Sequence, residues 1–223
     1  MNFVNNRPKG NRMIQLPEMP KSIAALPRDD RGYPCPWFIS WIDGKPEFRV
    51  ADGRKWSIAV REKRCWVCGE PIGKSRHVFV IGPMCAVNRT TAEPPCHPAC
   101  AEFSAKACPF LSMPKAKRRD ANMPEESQDP AGIMITCNPG VTLLWHCRGY
   151  EIFNDGSGGH LFRIPNPSQV QWFSQGRRAT RDEILESIKT GVPLLEKIAA
   201  EDGPASIEHL KRSVESAMRF IPA

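Results

Sequence analysis

An α+β fold is predicted by three features of the sequence. The first half is rich in cysteine, with a tight Cys-x-x-Cys-Gly turn, a β-rich run after it, and a His-x-x-Cys pair where a helical pattern begins. Behind it lie short apolar runs punctuated by turn residues, the pattern of a small antiparallel sheet. The C-terminal part changes to a helical period and opens on a capping box. A chain of 223 residues can bury a substantial core, as one large domain or two small ones.

Composition narrows the class. The apolar share of 41% is that of a globular protein. No apolar run reaches the roughly 18 residues of a membrane span. Asn5, Asn6, Arg7, Lys9 and Asn11 interrupt any signal-peptide core. A cytoplasmic protein with no membrane partner is the expectation. In a reducing compartment, nine cysteines point to metal rather than to disulfides. Six of them fall between Cys65 and Cys108, while Cys35, Cys137 and Cys147 stand alone and read as small buried apolar residues.

Taken in order, residues 1–30 read as an extended arm broken by Pro8, Pro17, Pro20 and Pro27. Residues 37–42 are a predicted strand, Asp43-Gly44 a turn, and Glu47 to Ala51 the returning strand, a hairpin expected beside the cysteine site. Residues 55–64 suit a short helix with basic residues near its C-terminal end. The basic run Pro114 to Arg119 precedes a polar, proline-bearing linker over 120–131. Gly132 to Cys137 and Val141 to Cys147 read as strands joined by Asn138-Pro139-Gly140, with a loop over 154–159 and further strands at Leu161–Ile164 and Gln169–Phe173. Thr180 and Glu183 form the capping box of a helix through Lys189 that Gly191 is expected to end. Helices over 193–200 and 204–219 follow. In the last, Ile207, Leu210, Val214, Ala217 and Met218 share one apolar face. The domain reading is therefore 1–30 arm, 31–119 basic cysteine module, 120–131 linker and 132–223 sheet plus helices.

The cysteine module carries the sharpest chemistry. In Cys65-Trp66-Val67-Cys68-Gly69 the glycine permits a tight turn whose backbone amides can face thiolate sulfur. After the β-rich run Arg76 to Ile81, a helix is expected from about His97 to Ala107. His97 and Cys100 are three apart and share its first turn, where the helix dipole favours thiolate. Knuckle, hairpin, then two ligands at a helix start is the order of a treble clef. Cys65, Cys68, His97 and Cys100 then close a tetrahedral shell suited to structural Zn²⁺. Cys96 is an alternative to His97, since its i, i+4 spacing to Cys100 also shares a face; His97 is preferred for the commoner i, i+3 spacing. Cys108 is expected to pack at the helix end, and Cys85 to lie in a loop over 82–89.

The net charge of +7 is uneven. Residues 1–119 hold 21 Lys/Arg against 10 Asp/Glu, and the remainder is acidic. A basic half attracts polyanions, so nucleic acid or an acidic protein surface is the expected partner. The candidate contacts are Arg61, Lys63, Arg64, Lys74, Arg76, Arg89, Lys115, Lys117, Arg118 and Arg119.

Catalysis is less well supplied. The treble clef also scaffolds HNH-type nucleases, and His77, Asn88 and His97 occur in that order. His77 nevertheless lies about three residues early for the general base, lacks a preceding Asp, and His97 is committed to the metal. His146 and His160 are isolated, and no phosphate-binding glycine loop occurs. No catalytic residue is assigned.

The run from Cys65 to Gly69, then Phe79-Val80-Ile81-Gly82-Pro83-Met84-Cys85-Ala86-Val87-Asn88-Arg89, Ala92-Glu93-Pro94-Pro95 and Ala107-Cys108-Pro109-Phe110-Leu111, resembles an uncharacterised family of bacterial and phage-borne proteins. Arg31 to Pro34 with Trp37-Phe38 match its start. Trp172-Phe173, Gly176-Arg177 and Ala179-Thr180-Arg181 match its end. The resemblance spans roughly residues 26–221. It implies that the two halves travel as one unit in a bacterial host cell, and that the position of Cys96 is often not cysteine, which favours His97. It supplies no activity. The sequence thus predicts a treble-clef zinc module followed by a small antiparallel sheet and C-terminal helices. The function expected is that of a non-catalytic binding protein, with a degenerate HNH-like nuclease or a protein-only module docking through the last helix as alternatives.

Overall fold

The computed structural model describes residues 15–73, 77–114, 116–117, 123, 131–132, 137–156 and 158–222. The linker and the strand expected over Gly132 to Cys137 lie largely outside these. The architecture is α+β. Residues 15–30 are not the extended arm expected of them. They contain a short helix α1 (Lys21–Ala24), whose Ile23 is buried beside the cysteines. The expected hairpin forms as β1 (Ile39–Ile42) and β2 (Lys45–Ala51), which pair antiparallel. Its turn residues Asp43 and Gly44 both take positive φ, at 49° and 73°, the geometry that matches strand twist. Helix α2 (Gly53–Glu62) follows, with the Asp52 side chain accepting from the Arg54 and Lys55 amides.

The next elements are β3 (His77–Ile81), α3 (Pro83–Asn88), the two-residue β4 (Thr90–Thr91), α4 (Pro98–Ala107) and α5 (Pro109–Ser112). The loop expected over 82–89 is thus a helix, opened by Pro83 at its first position, where a missing N–H costs nothing. The local hairpin expected after the knuckle is reduced to one reciprocal bridge, Val78 to Cys96. On its other edge β3 pairs along its length with β5 (Thr142–Cys147), from beyond residues 120–131. That pairing satisfies the strand's open edge, and its two apolar faces are covered by separate clusters. A strand apolar on both faces must be buried on both.

The chain continues as β6 (Glu151–Asn154), β7 (His160–Arg163), β8 (Gln169–Ser174), β9 (Arg177–Arg178), α6 (Arg181–Asp202) and α7 (Pro204–Met218). One antiparallel sheet runs β3-β5-β8-β9, and a second runs β4-β7-β6. Alternation along the central strands divides the core. Val78, Leu144 and Phe173 face the cysteines and α4, while Phe79, Ile81, Leu143, Trp145 and Trp172 face an aromatic cluster with Phe162, closed by Ile184 and Ile188 of α6.

Helix α6 does not stop at Gly191. It runs 22 residues, through Pro193. Gly191 serves close packing instead: a Cβ there would meet the Met84 side chain at 2.8 Å. The apolar face of α7 is also occupied. Leu210, Val214 and Ala217 pack with Met84, Val87, Val192 and Leu195, leaving Met218 at 38% exposure. The face suggested for partner docking is thus partly covered from within. No helix among the described residues is long and apolar enough to cross a membrane.

Candidate metal centre

Three chain segments build the site. The first is the knuckle. The Gly69 amide donates to the Cys65 carbonyl at 2.8 Å, and the Cys65 amide donates to the Glu70 carbonyl at 2.8 Å. Gly69 sits at φ 77°, and a Cβ on it would lie 2.7 Å from the Trp37 indole. Both facts require glycine. Trp66, between the two cysteines, stacks on Phe38 at 5.0 Å between centroids, and the Trp37 amide donates to the Val67 carbonyl at 2.7 Å. The hairpin β1–β2 is thereby fixed to the knuckle, as its apolar start predicts.

The second segment is the start of α4. His97 is its N-cap residue, with Pro98 at the first helical position. Cys100 follows in the first turn. The bridge from Cys96 to Val78 sets the approach of this segment to the sheet. The third is α1, whose Ser22 hydroxyl lies 3.6 Å from the Cys100 sulfur; no sequence signal marks it.

The donor atoms of Cys65, Cys68, His97 and Cys100 all lie within 4.8 Å of one another. Cys65, Cys68 and Cys100 are buried. His97 Nδ1 is 3.4 Å from the Cys68 sulfur and 3.9 Å from that of Cys100. On the far side of the ring, Nε2 donates to the Pro71 carbonyl at 3.1 Å. That bond fixes the tautomer and leaves the Nδ1 lone pair facing the sulfurs, as a histidine ligand requires. The His97 amide donates to the Cys65 sulfur at 3.3 Å. This cluster can hold a metal ion, and it contains His97 and not Cys96. Cys96 is buried next to it.

The clustered thiols shift one another's proton affinities. Cys100, Cys68 and Cys96 direct hydrogen bonds at Cys65, holding its pKa far below that of a free thiol. The same contact with Cys65 raises the pKa values of Cys100 and Cys96. It also raises His97, whose imidazolium is favoured beside a thiolate. Gathered sulfur of this kind favours a single negative charge until a cation compensates the others.

The basic residues are less unified. Arg61 and Arg64 both pair with Glu62, at 2.9 and 2.8 Å, and Arg64 also donates to the Gly69 carbonyl at 3.0 Å. Arg64 is thus part of the knuckle's support. Lys63 ends α2 in the left-handed conformation, and Lys117 bridges to Cys137. Arg89 belongs to a separate setting beside Trp145 and Phe220. Lys74, Arg76, Lys115, Arg118 and Arg119 lie outside the described residues. His77 is buried on β3, edge-on to Tyr150 at 5.2 Å. Its Nδ1 has no hydrogen-bond partner among the described residues, and burial, with Lys63 nearby, lowers its pKa.

No family model, no curated protein and no solved structure matches the chain.

Proposed function

We propose that the chain is a non-catalytic, zinc-stabilised binding protein whose basic segment meets nucleic acid or, failing that, an acidic protein surface. The convergence of three sulfurs and one imidazole carries this reading. Zinc bonds of about 2.3 Å to sulfur and 2.0 Å to nitrogen put neighbouring S and N ligands about 3.5 Å apart in a tetrahedron. The distances of 3.4 and 3.9 Å fit that spacing. Four protein donors leave no open position for substrate, so the ion's role is structural. It ties the knuckle, and the hairpin held to it, to the start of α4. We read this as a treble-clef arrangement in which α3 and β4 are inserted within the hairpin.

The binding side of the proposal rests on the charge surplus of residues 1–119. The resemblance to bacterial and phage-borne proteins suits such a module in the cytoplasm of a bacterial host. Two measurements test it. Elemental analysis of reduced, purified protein should find about one zinc per chain, falling to none in C100S. Affinity for duplex or single-stranded oligonucleotide should fall linearly on a log–log plot against salt. Metal-free folded protein sinks the zinc reading. Binding that does not respond to salt sinks the polyanion reading.

A further inference from the structure

On the opposite side of the central sheet from the cysteines, an open groove of about 690 Å³ lies between α7 and the exit of β7. Its floor is the end of α3 at Val87 and Arg89. One wall is α7, presenting His209, Arg212, Ser213 and Ser216. These follow i, i+3, i+4, i+7 spacing and so share a face, distinct from the apolar face packed on α3 and α6. The other wall includes Arg163, and Glu151 is the one carboxylate among the lining residues.

Arg89 is unusual in three ways. It sits in the left-handed region at φ 61°, a helix-ending position that glycine or asparagine fills with less strain. Its backbone is held on both sides, the amide donating to the Cys85 carbonyl at 3.0 Å and the carbonyl accepting from the Ile164 amide at 2.9 Å. Its guanidinium lies 4.5 Å from the Trp145 ring and 5.0 Å from the Phe220 ring. It makes no ion pair with a carboxylate among the described residues. Arg219 lies close enough to oppose its charge, and donates to the Ser216 hydroxyl at 2.7 Å on the rim. A flat, stacked guanidinium, partly desolvated beside further arginines, is pre-organised for a planar or tetrahedral oxyanion.

We propose that this groove binds a phosphate group, with Arg89 as the fixed floor contact and Arg212 as the contact from α7. The phosphate has two possible sources, a free phosphorylated small molecule or the backbone of a nucleic-acid strand. In the second case the inference rests on the polyanion reading above and locates its contact between Arg89 of the basic half and α7 of the second half.

Equilibrium titration of the metal-loaded full chain with inorganic pyrophosphate, and separately with a single-stranded oligonucleotide of about 12 nucleotides, separates the sources. Arg89→Lys keeps the charge and loses the planar fork. Arg212→Glu reverses a charge on an exposed helix face and leaves the core intact. Each should weaken the bound probe about tenfold or more, with unchanged far-ultraviolet circular dichroism. Tighter binding of pyrophosphate identifies a small-molecule site, and tighter binding of oligonucleotide a strand site. If a probe binds the wild type and both variants equally, the groove assignment falls while the polyanion reading stands. If neither probe binds the wild type, both fall.

Discussion

Gly69 shows how much one residue can decide. Its positive φ and the Trp37 ring against it exclude any side chain. Gly69→Ala should destabilise the metal-loaded protein by about 2–4 kcal/mol, combining left-handed strain with overpacking; chemical denaturation measures it. Asn138 is a quieter case. Its amide nitrogen lies within hydrogen-bonding distance of the Phe110, Leu111 and Met113 carbonyls, and its Oδ1 accepts from the Gly140 amide. A residue that reads as a turn former is thus the latch on the end of α5. His77 makes a pH prediction. Burial lowers its folded pKa below the unfolded value of about 6.5, so as pH falls below that value the unfolded chain takes up the proton first. Stability is intact above about pH 6.5 and is lost as pH drops towards the folded value. His77→Gln should flatten that part of the stability–pH curve relative to wild type, both proteins retaining their metal. Equal slopes would refute the assignment.

At the level of elements, α6 is the instructive one. Thr180 and Glu183 make the reciprocal capping box that the sequence predicts. The Gly191 and Pro193 signals then mislead, because an interior proline costs about 3 kcal/mol and that cost is overcome by burial along the helix. Ile184, Ile188 and Ala199 are buried, and Gly191 lets α3 approach. Gly191→Val should cost about 2 kcal/mol through collision with Met84. Met84→Ala in the same chain should recover part of it, a non-additivity that thermal or urea unfolding of the double-mutant cycle reads. Additive losses would place the cost elsewhere. The cysteine elements behave in the opposite sense. The knuckle and the start of α4 are short pieces, and on the zinc reading a bound ion would supply free energy that ties them together. Chelation under reducing conditions should therefore lower the melting temperature, and added zinc should restore it.

For the whole molecule, the central sheet matters most. It takes β3 from before residues 120–131 and β5, β8 and β9 from after them. The two faces of β3 feed different clusters, Val78 towards the cysteines and Phe79 and Ile81 towards the aromatic core. A fragment ending at residue 119 would leave that strand's long edge unpaired and Phe79 uncovered. It should express as an aggregating or poorly dispersed species even with zinc present, whereas the full chain gives a dispersed amide spectrum. A well-folded fragment would show that the cysteine module stands alone.

Sequence alone determined the features whose physics is local. These are the glycine of the knuckle, the Cys65/Cys68 and His97/Cys100 pairs taken separately, the Asp43-Gly44 turn, the Thr180 cap and the helical period of α7, because each is set by residues within a few positions of one another. Tertiary structure decided the rest. An apolar strand such as β3 does not encode which strand will cover it. A glycine at position 191 does not state whether its missing side chain ends a helix or admits Met84. Arg89, one cation among many in the sequence, becomes distinctive only when Trp145 and Phe220 come beneath it from distant parts of the chain. Contacts of that kind depend on surfaces that exist only after the chain has closed on itself.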